Sequence, residues 1–327
     1  MKILVTGSAG HLGEALMLHL RGSGHEAVGF DTTESDFTHH RGSVTDPAAV
    51  ADAMQNVDVV IHTAALHKPH VGTHPRQEFV DTNITGTLTL LEESVSAGVT
   101  RFVYTSTTSA FGDALRPAPH EPAAWITEDV TDRPKNIYGV TKATAEDLCE
   151  LFARGRGLPC IVLRTSRFFP EEDDSKDIRD GYADANAKVN EFLYRRVDLE
   201  DVVDAHLRAA ERASDVGFGR YIISATSPFT RSDLSALRRD AAAVVERHVP
   251  RYVREYQRRG WTMFPTIDRV YVNDRAREAL GWQPRHTFAA LIDRLEQGDE
   301  YRSPLTQSVG SKGYHPVSFA DGPYPVE

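Results

Sequence analysis

Through its first half the chain alternates two hydrophobic patterns. Short runs that are apolar at nearly every position (Lys2–Thr6, Ala27–Phe30, Val57–His62, Arg101–Thr105 and Cys160–Arg164) are separated by longer stretches with helical spacing. Those stretches are His11–Arg21, Pro47–Met54, Asn83–Ala97 and Gly139–Arg154. A strand covered on both faces is apolar throughout, whereas one with a wet face alternates. Regular strand–helix alternation joins neighbouring strands in parallel. The pattern predicts an α/β fold built on a doubly wound parallel sheet.

The pattern loosens after Pro170. The stretch "EEDDSKDIRDG" is acidic and reads as solvated. Asp201–Arg212 is helical again, Arg220–Ser224 reads as a strand, and Ser232–Arg258 is largely helical with an interruption at Pro250. Arg275–Leu280 and Phe288–Gln297 read as short helices. The end of the chain from Tyr301 is rich in Gly, Pro and Ser and reads as a wrapping arm or a partly disordered terminus. The expected division is a core of residues 1–170 with 196–227, and a smaller, interleaved region of residues 171–195 with 228–327.

The formal net charge of −10 argues against a nucleic-acid or anionic-membrane surface, while leaving room for a local basic pocket. Cys149 and Cys160, the two cysteines present, make no disulfide framework, which suits a reducing compartment. The first apolar run is short and leads into glycines rather than a cleavage site. With no long apolar span, the expected location is the cytoplasm.

Gly7, Gly10 and Gly13 lie between the first strand and the first helix, in "VTGSAGHLG". Glycines at this spacing make a tight turn, let backbone approach a pyrophosphate, and let the helix pack on the sheet. The helix N-terminus then favours the phosphates. Asp31 ends the second strand about twenty residues further on, where a carboxylate receives ribose hydroxyls. It repels a 2′-phosphate, so the expected cofactor is NAD.

"NIYGVTK" sets Tyr138 and Lys142 four residues apart, one helical turn along one face. An ammonium beside a phenol lowers the phenol's pKa, and the tyrosine can then take a proton from a substrate hydroxyl as hydride leaves the carbon. Upstream, "FVYTSTTSAFG" is a strand ending in hydroxyl residues. Thr107 is placed to hydrogen-bond the substrate oxygen.

With these pieces together the chain resembles the extended short-chain dehydrogenase/reductase family, in its NAD-dependent sugar epimerase and dehydratase branch (UDP-glucose 4-epimerase-like). The resemblance covers most of residues 1–227 and returns at "REALGWQP". It implies a Rossmann-type domain and a catalytic triad of Thr107, Tyr138 and Lys142. His11 and Leu12 would approach the pyrophosphate, and Ser43 and Val44 would flank the adenine. In "HTAA", Thr63, Ala64 and Ala65 would lie beside the adenosine and ribose. Asn83 of "DTNITGT", Ser166, and Lys142 with Tyr138 complete the implied cofactor set. His67, Thr107, Thr108, Tyr138 and Arg167 form the expected substrate set. Relatives dimerise through two helices per subunit, here Asn83–Ala97 and Gly139–Arg154, so a homodimer is expected.

Departures from the family pattern narrow the activity. Ser43 replaces the aspartate that holds the adenine amine. "TTSAFG" lacks the Asp-Glu pair of the 4,6-dehydratases, which excludes that reaction. Arg167 stands where epimerases place an asparagine, and the stretch 170–197 lacks the arginine that clamps a nucleotide diphosphate, with Tyr194, Arg195 and Arg196 near its place. A sugar acid, a sugar phosphate or a differently held nucleotide sugar suits Arg167. His67, His70 and His74 are set aside as metal ligands because Pro69 and Gly72 break the helical face and nothing completes a site. The segment "RRVDLEDVVDAH" is expected to cap and pack, and "RHVPRYVREYQRRG" to be a solvated basic helix. Three readings stand: an NAD-dependent epimerase of a sugar or nucleotide sugar, expected at C4; a dehydrogenase of a sugar or sugar acid that releases NADH; and an NAD-binding protein with a dead site.

Overall fold

The structure is a computed structural model that describes residues 1–313, 315, 319 and 322–325. Its main sheet has seven parallel strands. In chain order the strands are β1 (Lys2–Thr6), β2 (Glu26–Asp31), β3 (His40–Arg41), β4 (Val59–His62), β5 (Arg101–Thr107), β6 (Ala124–Ile126), β7 (Cys160–Thr165), β8 (Phe218–Ile223) and β9 (Arg269–Tyr271). The sheet runs β3-β2-β1-β4-β5-β7-β8, and β6 pairs with β9 separately. The order reverses between β1 and β4. In open α/β sheets such a reversal opens a crevice at the carboxyl ends of the strands.

Successive side chains of a strand point to opposite faces, and here both faces are dry. Ile3, Val5, Ile61, Val103, Ile161 and Leu163 enter one core. Their neighbours Leu4, Val60, Phe102, Tyr104 and Val162 enter the other. The first face is covered by helix α1 (His11–Leu20) and the helix Leu199–Val216, with Trp282 buried against them. The second is covered by α2 (Pro47–Ala53), α4 (Gly86–Ser96) and α5 (Ile137–Arg156). A further core, from Ala187 to Tyr194 and from Ala225 to Tyr301, lies apart from the sheet.

Helix boundaries follow local chemistry. Asp46 caps α2 by accepting from the N–H groups of Ala48 and Ala49. Asn136 caps α5 by accepting from Gly139 N, and Gly157 ends it at φ 67°. The expected helix over Asn83–Ala97 has a more complicated start. A short helix α3 (Arg76–Phe79) passes through a π-helical turn, Val80–Thr85, before α4 begins. Wide turns of this kind cluster at functional sites.

One expectation is corrected. The acidic stretch after Pro170 is not simply solvated: Asp173 is buried, and Asp173 and Asp174 both pair with Arg167. Burial of these carboxylates is made possible by the guanidinium they share. The stretch from Tyr301, expected as a wrapping arm or a partly disordered terminus, begins with a helix, Pro304–Val309, and residues 314, 316–318, 320–321 and 326–327 of it lie outside the described residues. Ser303 caps the helix and is itself held by Asp198. As expected, "RRVDLEDVVDAH" caps and packs. Asp198 accepts from Glu200 N, and Asp201 accepts from the N–H groups of Arg285 and His286 at 2.9 Å.

The glycine loop rests on two positions. Gly7 has φ +73°, and a Cβ there would lie 2.7 Å from Ala64 N. A Cβ on Gly13 would lie 1.9 Å from the carbonyl oxygen of Gly7. Gly13→Ala should therefore lower stability by about 1–3 kcal/mol through overpacking. Gly155→Ala, on the helix α5 where a Cβ meets nothing within 4 Å, should raise it by about 0.4–1 kcal/mol. Urea midpoints of the two variants displaced to opposite sides of the wild type are the expected result.

Candidate active site

The crevice above the β1–β4 reversal has a volume of about 1780 Å³, larger than the 300–1,000 Å³ or so of ordinary ligand pockets. It therefore has room for a dinucleotide together with a second molecule. Gly7, Gly10, His11, Leu12 and Gly13 line one end. Gly7 N donates to Phe30 O at 2.8 Å and Gly10 N to Gly7 O at 3.0 Å, which folds the loop tightly. The N-terminus of α1 then faces the crevice with its partial positive charge.

Asp31 stands at the rim of the same end. Its carboxylate accepts from Ala9 N at 3.0 Å and from Thr33 N at 2.8 Å. Each oxygen keeps further acceptor capacity for hydroxyl groups. Ser43 and Val44 line the wall beyond it, as do Thr63, Ala64 and Ala65 at the end of β4. A Cβ at Gly7 would collide with Ala64 and Thr63, so the loop approaches the end of β4 this closely only with glycine there.

The structure places Asn83 differently from the expectation of direct cofactor contact. It is 1% exposed and lies beneath the wall. Its amide accepts from Leu66 N and donates to Leu66 O and Thr141 Oγ1. Those bonds use both ends of the side chain on the protein itself. The π-helical turn sets this residue at the correct depth, tying the loop after β4 to α5.

Thr107, Thr108, Tyr138 and Lys142 line the middle of the crevice. Thr107 ends β5 and caps the short turn that follows it, its hydroxyl accepting from Ser109 N at 3.1 Å. Tyr138 and Lys142 project from the first turns of α5. Burial pushes the Tyr138 phenol up to about 12, and a hydrogen bond with Thr107 pulls in the opposite direction. Burial brings the Lys142 ammonium down to about 7, while the carboxylate of Glu146 opposes that fall. Its Nζ sits 4.3 Å from the centre of the Tyr104 ring. The sequence suggests a phenol made more acidic by its neighbouring ammonium; in the folded protein, desolvation of the phenolate is the larger effect.

At the far end Arg167 lines the crevice with His67 and Ser166. Its guanidinium pairs with Asp173, with Asp174 at 2.9 Å and with Glu191 at 3.0 Å. Glu191 also binds Arg195 at 2.6 Å and Arg196 at 2.7 Å, and Lys68 pairs with Asp174. The three arginines hold the Glu191 carboxyl well below its ordinary range against the burial that would raise it. Arg167 therefore faces the crevice with its charge matched by the chain's own carboxylates.

Several residues beside the crevice escaped the sequence reading. Glu171 Oε1 gathers His11 Nε2 at 2.7 Å, Ser311 Oγ at 2.9 Å, Lys312 N at 3.0 Å and Gly313 N at 3.1 Å. Lys312 Nζ pairs with Glu14 at 2.6 Å. The terminal segment thus crosses beside the glycine loop. No local motif marks this, because the partners are far apart in the sequence. Arg254 and Arg258 are paired with Glu296 and Glu255, as suits a surface helix.

Among the described residues, the spacing of a three-ligand metal group occurs at Asp198, Glu200 and His286, not at His67, His70 and His74. Asp198 already accepts from Glu200 N, Ser303 N and Thr306 Oγ1, and His286 bonds Glu200. That group is a structural knot. No described helix is long and apolar enough to cross a membrane.

Comparison with known proteins agrees with this geometry. The sequence model of the NAD dependent epimerase/dehydratase family matches residues 3–223. The UDP-glucose 4-epimerase of Rhizobium meliloti is 24% identical over 326 residues, spanning 89% of this chain and 94% of that protein. The dTDP-glucose 4,6-dehydratase of Streptomyces antibioticus is 28% identical over 334 residues, spanning 90% and 91%. A solved short-chain dehydrogenase/reductase superfamily protein from Agrobacterium tumefaciens, with bound NAD, superposes with a TM-score of 0.62 at 23% identity, covering 91% of this chain and 98% of that one.

Proposed function

The chain belongs to the NAD dependent epimerase/dehydratase family, and on that premise we propose that it is an epimerase inverting a sugar carbon, at C4, through a transient ketone. The observation that carries this reading is the meeting of Thr107, Tyr138 and Lys142 in one crevice with the glycine loop. Gly7, Gly10, His11, Leu12 and Gly13 would hold the pyrophosphate, Asp31 and Lys142 the two riboses, and Ser43 and Val44 the adenine. NAD, when bound, accepts a hydride and can return it.

The protein's own part is proton transfer and orientation. Thr107 hydrogen-bonds the reacting hydroxyl and holds its carbon toward the nicotinamide end. Tyr138 Oη takes the hydroxyl proton as the carbon becomes a ketone, and the positive charge of Lys142 stabilises the phenolate. The sugar turns over in the crevice, and Tyr138 returns the proton to the carbonyl oxygen as the other face is reduced.

Two features favour epimerisation over net oxidation. The Ser311–Gly313 segment is tied to His11 beside the cofactor end, which suits a cofactor that stays bound through the cycle. Arg167 is matched by three carboxylates, which disfavours a sugar acid held there by its own carboxylate. The positions after Thr107 are Thr108 and Ser109, so elimination of water has no acid and base there.

Tyr138→Phe is expected to cut turnover by about 10²–10⁴-fold with NAD binding retained; wild-type turnover in this variant would remove the mechanism. Incubation of candidate sugars with excess NAD separates the readings: isomer without NADH supports the epimerase, and stoichiometric NADH selects a dehydrogenase. Asp31→Ala should narrow the preference for NAD over NADP, measured as the ratio of their dissociation constants. A homodimer through α4 and α5 is supported by exposed Val95, Val140 and Leu151 on those helices. Leu151→Glu should shift the molar mass in light scattering from twice that of the chain to that of the chain.

A further inference from the structure

We propose that Glu146 is a positioning residue that keeps Lys142 in its charged form, and that Arg220 sets how strongly it does so. Glu146 lies one turn beyond Lys142 on the same face of α5 and is fully buried. Ser106, the neighbour of Thr107, donates to its carboxylate. Arg164 Nε lies 3.1 Å from Oε1 and 3.0 Å from Oε2, Arg164 Nη2 lies 2.6 Å from Oε2, and Arg220 Nε donates to Oε2 at 3.1 Å. The carboxylate is thus fixed in place one turn from Lys142 by donors from three different strands.

The two arginines do not cancel it. Arg164 is shared with Asp132, at 2.9 Å and 2.6 Å. Arg220 is shared with Asp147 at 2.8 Å and Glu150 at 2.9 Å. Two guanidinium groups are thus divided among four carboxylates, so neither is matched to Glu146 alone.

Of the other groups around Lys142, the Cys149 thiol on α5 acts in the same direction as Glu146 but by less; burial pushes that thiol and the Tyr104 phenol on β5 up. Tyr138 is also pushed up by burial. His62 at the end of β4 and His67 in the following loop are pushed down by burial, with the Lys142 charge adding to the effect, and they stay neutral. Burial brings Lys142 to about 7 with Glu146 working against it. A modest change in field at this point decides whether the ammonium is present at neutral pH.

The sign is defined for two variants. Glu146→Gln removes the opposing charge, so Lys142 should lose its proton at lower pH. Arg220→Gln removes a like charge and unshields Glu146, so Lys142 should keep its proton to higher pH. The consequence for turnover rests on the proposed epimerase reading; the protonation of Lys142 does not.

The test is a pH titration of the full chain, labelled with ¹⁵N at the lysine Nζ, followed by NMR. The Lys142 resonance is assigned by its loss in Lys142→Arg. The midpoint is expected to fall by roughly one pH unit in Glu146→Gln and to rise in Arg220→Gln, and the high-pH limb of turnover should move in the same direction in each. Midpoints unchanged in both variants overturn the inference, however much activity is lost, because a purely structural role for Glu146 would lower turnover without moving them. Should Glu146→Gln fail to fold, the sign of the shift in Arg220→Gln decides, since that side chain is a quarter exposed and its removal leaves Glu146 held by Ser106 and Arg164. Midpoints that move as expected while the limb of turnover stays fixed uphold the inference and overturn the epimerase mechanism instead.

Discussion

The site depends on the close approach of α1 to the end of β1. With a Cβ on Gly13 only 1.9 Å from the Gly7 carbonyl, the helix could not begin where it does. This contact brings the N-terminus of α1 over the reversal in strand order, and it opens the crevice against the end of β4. Asp31, Thr107, Tyr138 and Lys142 reach one space because β2 and β5 end, and α5 begins, on this side of the sheet.

The crevice is ordered by charge as well as shape. A chain of net charge −10 places clusters of arginine and carboxylate at two depths around the site. One, centred on Glu146, lies under α5; the other, centred on Glu191, closes the far end. Neither is valuable as a simple sum of ion pairs, because burying charges costs about as much as pairing them returns. Their physical effect is to hold charged groups at defined distances from the reacting centre. The lower cluster acts on an ammonium that burial would otherwise discharge, and the upper one leaves Arg167 with little unmatched charge.

The terminal segment adds a constraint that the sheet alone does not supply. Ser303 and Thr306 are fastened to Asp198 at the start of the helix Leu199–Val216, and the chain then runs to Glu171 and His11. One carboxylate, Glu171, joins the glycine loop, the acidic stretch and the terminus. Its carboxyl is lowered to about 2, with burial opposed by the hydrogen bond and charge of His11.

The strands β1, β4, β5 and β7, the glycine loop and the Tyr138–Lys142 pair were legible in the amino-acid order because each is a local pattern: continuous apolar runs, glycines at a fixed spacing, and a helical repeat of four. The short pairings of β3, and of β6 with β9, were not, since two or three residues carry no period and their partners are settled by the rest of the fold. Arg167 could be recognised as a cation near the site, but its three carboxylate partners could not, because Asp173, Asp174 and Glu191 meet it only after the chain folds back. The same is true of Asn83, whose depth depends on a π-helical turn, and of Glu146, whose influence depends on Arg164 and Arg220 arriving from β7 and β8. Sequence alone determined which chemistry the chain can carry, through short-range periodicity and residue type. Tertiary structure decided the protonation and pairing of those groups, because desolvation and long-range contacts exist only in the folded chain.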